Sequence, residues 1–124
     1  MIKSCLANVP HLDLTAGEQK RDFVFIDDVV AAYSVLLQKA GAEQGTFQEY
    51  GIGSGLAVSI REFVETAHEV ACSTTRLNFG ALPYRSNEIM HSAADTVPLE
   101  SLGWSCHVNL REGIRRTIAM EKTA

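Results

Sequence analysis

Long apolar runs are missing from this sequence. None approaches the roughly 18 residues that a membrane-spanning helix needs, so nothing in it is expected to cross a bilayer. Cysteine is sparse: Cys5, Cys72 and Cys106 are odd in number, far apart and form no C-x-x-C. That excludes a disulfide framework and a zinc motif, and it fits a reducing cytoplasm. His68 and Cys72 stand four apart on an expected helix. Two ligands without a second pair are a weak metal signal, and helix packing is the better reading. Positive charge is not clustered either. The net charge is −4 and the eleven Lys and Arg are scattered, which argues against a nucleic-acid-binding surface. The opening "MIKSCLANVPHLDL" has too short an apolar core for a signal peptide and no small-x-small cleavage site. No G-K-[ST] occurs, so no P-loop is encoded, and there is neither an internal repeat nor a low-complexity tract.

What is present is an ordinary α/β composition. With 46% hydrophobic and 21% charged residues, a chain of 124 residues is one domain by length and can bury a real core. "LDLTAGEQKRDFVFIDD" reads as a short strand, a polar turn at Ala16 to Lys20 and an apolar strand from Phe23 to Ile26. Asp27 is the expected N-cap of the next helix, with Val29, Val30, Tyr33, Leu36 and Leu37 at helical spacing and Gly41 as the stop. A strand is expected from Thr46 to Ile52. Ser59 and Glu62 then make a capping box for a helix whose buried stripe is Ile60, Phe63, Val64, Ala67 and Val70. Arg76 to Phe79 reads as a strand, and "GALPYRSNEIMHSAADT" as a loop with a short extended piece near Met90 to Ala93. Pro98 suits the first turn of a short helix ending at Gly103, where Trp104 follows. Asp95 is placed to orient the turn into that helix. Asn109 and Glu112 form a second capping box, opening a helix with Leu110, Ile114 and Ile118 on one face.

The glycines at 51, 53 and 55 in "EYGIGSGLAVSIREF" mimic a nucleotide-binding signature. A dinucleotide fingerprint needs G-x-G-x-x-G, so that backbone can approach a pyrophosphate at the helix N-terminus. The spacing here is G-x-G-x-G, and Cys72 to Thr75 stand where an acidic ribose-binding residue is expected. Turn chemistry is the better reading of these glycines.

Four stretches, in order, carry a family resemblance: "LTAGEQKRDFVFIDDVVAAY", "EYGIGSGLAVSIREFVE", "NFGALPYRSNEIMHSAADTVPLESLGW" and "NLREGIRRTI". Together they resemble the C-terminal, substrate-binding part of the NAD-dependent epimerase/dehydratase family, the extended short-chain dehydrogenases/reductases that modify nucleotide sugars. The likeness spans about Leu12 to Ile118. "LTAGEQKRDF" and "NFGALPYRSNE" look closest to the 4-keto-reductases and epimerases of bacterial deoxysugar pathways. It implies an α/β fold made of a few short strands with about three or four helices, one substrate-binding-type lobe over 1–124 without a complete Rossmann sheet. The cofactor-binding lobe, with its Gly-rich NAD(P) loop and its Tyr-x-x-x-Lys, is absent from the sequence by this reading. Tyr33, Tyr50 and Tyr84 are followed at the fourth position by Leu37, Ser54 and Glu88. Hydride transfer in such enzymes needs a tyrosine acid/base beside a lysine. This chain alone is therefore not expected to catalyse the family reaction, and no catalytic, cofactor-binding or metal-binding residue is assigned.

The resemblance also implies site residues. Arg21 matches an arginine that contacts the substrate diphosphate, and a guanidinium there offers a bidentate fork to phosphate oxygens; the alternative is a structural salt bridge to Asp22 or Asp27. Arg85 matches a second diphosphate-binding arginine. Glu88 matches a carboxylate on the nucleotide ribose; on a loop, Arg85 and Glu88 could instead be a solvated pair. Phe23 matches an aromatic at the nucleotide end, with core packing as its alternative. Asp27 and Asp28 are read as helix N-terminal charges favoured by the dipole, and His91 as a surface histidine. The expected partner is a nucleoside-diphosphate sugar, with a homo-oligomer or a separate cofactor-lobe chain also expected. The alternative is a non-catalytic oligomeric interaction protein or a small-ligand-binding protein on the same lobe. Met1 standing just ahead of the first strand fits a truncated gene product or a fragment.

Overall fold

Two short helices' worth of capping chemistry and two small sheets organise the chain. The computed structural model describes residues 1–39 and 47–123. In order, the elements are α1 (Ile2–Leu6), β1 (His11–Leu14), β2 (Lys20–Arg21), α2 (Ile26–Lys39), β3 (Val58–Ser59), α3 (Ile60–Val70), β4 (Arg76–Phe79), α4 (Val97–Glu100) and α5 (Leu110–Thr123). The four helices expected from the sequence are present, and α1 precedes them. β1 and β4 pair in parallel, with Leu12 opposite Leu77 and Leu14 opposite Phe79. β2 and β3 pair antiparallel, Lys20 opposite Ser59 and Arg21 opposite Val58.

Two helix starts carry the caps that their residues predict. The Ser59 hydroxyl accepts from the Glu62 amide at 3.1 Å, and the Asn109 side chain accepts from the Glu112 amide at 2.9 Å. Both satisfy amides that a helix N-terminus leaves without partners. Asp95 accepts from the Val97 amide at 3.2 Å at the entry to α4. Gly103, at φ +99°, carries the left-handed turn that ends that segment and delivers Trp104 into the core.

The core has two centres. Ala32, Leu99 and Trp104 are buried together, with Leu36, Tyr50 and Ile52 packed around them. Ala67, Ile114 and Ile118 form the second, between α3 and α5. α1 closes it by laying Ile2 and Leu6 against that pair, while Cys5 is buried beneath.

Three expectations change. The strand expected from Phe23 to Ile26 does not form: β2 ends at Arg21 and Ile26 already opens α2. The reason is local, because the neighbouring amides of Ser54 and Gly55 donate to the Asp22 carboxylate instead of to a backbone ladder. Asp27 is not the N-cap. It lies inside the first turn, exposed, and the Phe25 carbonyl accepts the first amides, from Asp28 at 3.0 Å and Val29 at 3.2 Å. The strand expected from Thr46 to Ile52 begins outside the described residues, and Phe47 to Ile52 are not in a strand. Among the described residues no backbone hydrogen bond engages that stretch. The Gly41 stop also lies outside the described residues.

Candidate functional site

Arg21 and Glu88 are far apart in sequence, and β2 brings them together. The Lys20 amide donates to the Met90 carbonyl at 2.8 Å, and the Ser92 amide donates to the Lys20 carbonyl at 3.1 Å. This bridge, centred on Lys20 and exposed His91, lays the 88–92 segment along β2. The Glu88 amide donates to the Arg85 carbonyl at 3.2 Å, closing a turn that holds Arg85 and Glu88 on one loop. The Tyr84 hydroxyl fixes the loop from its other end by accepting from the Glu18 amide at 2.9 Å.

Across this seam the Arg21 guanidinium forms an ion pair with Glu88, Nη2 to Oε1 at 3.0 Å. Its Nη1 donates to the Lys20 carbonyl at 2.8 Å. The two side chains are 29% and 19% exposed, so the pair is partly desolvated yet still open to a ligand. Arginine has five N–H donors in a planar fork, and two are committed here, leaving donors for phosphate oxygens. A carboxylate only accepts, which suits it to sugar hydroxyls. Arg85 is exposed on the same turn. Two of the four residues singled out in the sequence, Arg21 and Glu88, are thus in contact, with Arg85 three residues before Glu88 on its turn, and the pairing of Arg21 with Asp22 or Asp27 is replaced by a pairing with Glu88.

Phe23 does not join them. It stacks on Phe63 with ring centroids 4.3 Å apart and planes 20° apart. The cavity it borders, of about 240 Å³, is lined by apolar residues such as Phe25, Phe63, Leu110 and Ile114, and not by Arg21, Arg85 or Glu88. The stack on Phe63 fits the packing alternative for Phe23.

Two aspartates carry structural roles that the sequence reading did not assign. The Asp22 carboxylate accepts from the Ser54 amide at 2.7 Å, the Ser54 hydroxyl at 2.6 Å, the Gly55 amide at 2.9 Å and the Ala94 amide at 3.2 Å. Burial works against its ionisation, but these bonds outweigh burial and hold its pKa below the ordinary carboxylate range. Asp22 therefore clamps three segments directly behind the Arg21 site. Asp28 is buried and accepts from the Val108 amide at 3.0 Å, the His107 amide at 3.2 Å and the Cys106 thiol at 3.3 Å. Its pKa too is lowered: burial opposes the shift, and the amides of Val108 and His107 overcome it. Burial and the neighbouring Asp28 push the Cys106 thiol up to about 11. A small polar residue between glycines, Ser54, was the available signal for the Asp22 clamp.

The glycine stretch is closely packed against neighbouring segments. A Cβ at Gly51 would stand 2.5 Å from the Asp95 carbonyl oxygen, and one at Gly53 would stand 2.5 Å from the Asp22 carboxylate. Gly51 and Gly53 thus admit the close approach of the chain's own backbone and side chains, as turn residues do. Nor does any group of three or more His, Cys, Asp or Glu among the described residues have metal-site geometry.

The fold defines the class first. Over 98% of this chain it superposes on 38% of UDP-glucose 4-epimerase from Thermotoga maritima, solved with UDP-glucose, with a TM-score of 0.82 and 25% identity. It is part of the α/β architecture of an extended short-chain dehydrogenase/reductase. The sequence narrows this: the pattern of the NAD dependent epimerase/dehydratase family matches residues 1–53. CDP-abequose synthase of Salmonella muenchen is 35% identical over 94% of this chain and 39% of its own length. UDP-glucose 4-epimerase of Mycolicibacterium smegmatis is 34% identical over 82% of this chain and 31% of its own length. The chain is similar to members of the NAD-dependent epimerase/dehydratase family and spans roughly two fifths or less of the length of these relatives.

Proposed function

We propose that this chain is the nucleotide-sugar-binding lobe of an epimerase/dehydratase-type protein, recognising the diphosphate through Arg21 and Arg85 and a ribose hydroxyl through Glu88. The observation that carries this reading is the partly exposed Arg21–Glu88 pair at 3.0 Å, with Arg85 on the same turn. The relatives support the ligand class, since the Thermotoga maritima epimerase was solved with UDP-glucose. In this reading the chain binds without catalysing, because no Tyr-x-x-x-Lys occurs in its sequence.

Magnitudes set the expected affinity. Two charge-assisted contacts at roughly 1.5–3 kcal/mol each give about 3–6 kcal/mol, or millimolar to tens of micromolar. Glu88 must release or share Arg21 when a phosphate arrives, and loop ordering lowers the affinity further. Saturation-transfer NMR on UDP-glucose and CDP-glucose tests the reading. Transfer from the chain at millimolar ligand, lost in Arg21→Gln and retained in Phe23→Leu, is the expected result. Equal transfer in wild type and Arg21→Gln contradicts it.

A further inference from the structure

Glu88 holds the cation that an anionic ligand would use. Its Oε1 lies 3.0 Å from Arg21 Nη2, and Arg21 Nη1 donates to the Lys20 carbonyl at 2.8 Å. Both terminal nitrogens of the guanidinium thus have partners, while a bidentate phosphate contact needs two parallel N–H groups of one fork. Donors remain on the fork, yet a phosphate oxygen that reaches Nη2 meets a carboxylate of its own sign. The side chains of the pair are only 29% and 19% exposed, so salt and water screen that repulsion less than on an open surface.

The backbone gives Glu88 little room to swing aside. Its amide donates to the Arg85 carbonyl at 3.2 Å. Just beyond it, the Lys20 amide donates to the Met90 carbonyl at 2.8 Å, and the Ser92 amide donates to the Lys20 carbonyl at 3.1 Å. The Tyr84 hydroxyl, accepting from the Glu18 amide at 2.9 Å, fixes the other side of the turn. The carboxylate is therefore tied to β2. Breaking the pair by a rotamer change strips a partly buried acceptor of its donor, which is costly unless new donors arrive with the ligand. Hydroxyl groups supply such donors, and one carboxylate has acceptor sites for two of them.

We propose that Glu88 is an internal competitor for Arg21, which keeps anions off the guanidinium unless they bring neighbouring hydroxyls to take its carboxylate. A ribonucleoside diphosphate, with an anion and a vicinal diol in one molecule, meets both conditions. Inorganic pyrophosphate meets only the first and is rejected, the repulsive charge acting against the wrong partner. The inference rests on the nucleotide-sugar site proposed above and adds the selection rule of that site.

The test titrates the full chain with inorganic pyrophosphate, UDP and 2′-deoxy-UDP and follows the Arg21 Nε–Hε resonance. In the wild type, UDP is expected to bind at least about tenfold tighter than pyrophosphate and about threefold tighter than 2′-deoxy-UDP. Glu88→Gln should tighten pyrophosphate by at least about fivefold and bring UDP and 2′-deoxy-UDP within about twofold of each other. Glu88→Ala should give the same gain, and unchanged α3 and α5 amide resonances check that both variants are folded. Pyrophosphate binding that is unchanged in these variants, with UDP weakened, makes Glu88 a plain hydroxyl contact and overturns the inference alone. Equal weakening of all three ligands makes the pair a scaffold for Arg21 and also overturns it. So does wild-type chain that binds UDP and 2′-deoxy-UDP equally, whatever the variants do. Silence at Arg21 for every ligand in every protein overturns the proposed site and this inference with it.

Discussion

Asp28→Asn tests how the site's supporting framework is held. The wild-type carboxylate is buried and accepts two backbone amides, at 3.0 and 3.2 Å, and the Cys106 thiol at 3.3 Å. Asparagine keeps the shape but removes the charge, and its amide nitrogen turns a donor towards one of the incoming donors. A hydrogen bond to a charged group contributes about 1.5–3 kcal/mol, and an orphaned buried donor costs about 1–3 kcal/mol. Losing one bond outright and weakening the other gives a destabilisation of about 2–4 kcal/mol. At roughly 4 °C per kcal/mol for a chain of this size, Tm should fall by about 8–16 °C. Trp104 is the sole tryptophan, and its indole donates to the Asp28 carbonyl at 2.9 Å. Urea unfolding followed by tryptophan fluorescence therefore reports from beside the mutation. Asp27→Asn is the control, one residue away but exposed, and should stay within about 0.5 kcal/mol of wild type. If Asp28→Asn also stays within that range, the reasoning about the buried carboxylate is wrong.

Other consequences follow from the same contacts. Gly53→Ala would place a Cβ 2.5 Å from the Asp22 carboxylate and 2.8 Å from the Ala94 side chain, and should cost about 1–3 kcal/mol in chemical denaturation. Asp22 and Asp28 both have folded pKa values below the unfolded value of 3.8, so the stability they contribute is fully present above that value. It is lost as pH falls from near 3.8 through their lower folded values; urea midpoints taken down a pH series should drop there, and less steeply in Asp28→Asn. With its thiol near 11, Cys106 carries about one thiolate in a thousand at pH 8. Mass-spectrometric alkylation should label exposed Cys72 well before Cys106, and Asp28→Asn should narrow that gap.

The sequence signals that survived in the structure were local ones. Ser59 and Asn109 cap their helices because a short side-chain oxygen followed three residues later by an amide is sufficient in itself. The stripe Phe63, Val64, Ala67 and Val70 needed only helical periodicity. Signals that depended on a partner failed: Phe23 to Ile26 and residues 47–52 both have strand composition, but a strand exists only where a ladder does. The site was half legible. The resemblance picked out Arg21, Arg85 and Glu88, and the structure brings the first and last into contact. The ion pair itself was unreadable, because it depends on the 88–92 segment lying along β2, a long-range placement that no spacing encodes. In the sequence Asp22 reads only as a possible partner of Arg21 and Asp28 as a dipole charge, for the same reason: their donors come from Ser54, Ala94 and Val108, distant in sequence.

The most direct measurement is the chemical-shift map of the full chain on adding UDP-glucose or CDP-glucose, with the arginine Nε–Hε resonances assigned. The account predicts saturable shifts at Arg21 and Arg85 and in the Glu88 to Ser92 backbone, with the Phe23–Phe63 cavity unmoved. Shifts confined to that cavity, or none at millimolar ligand, would contradict it.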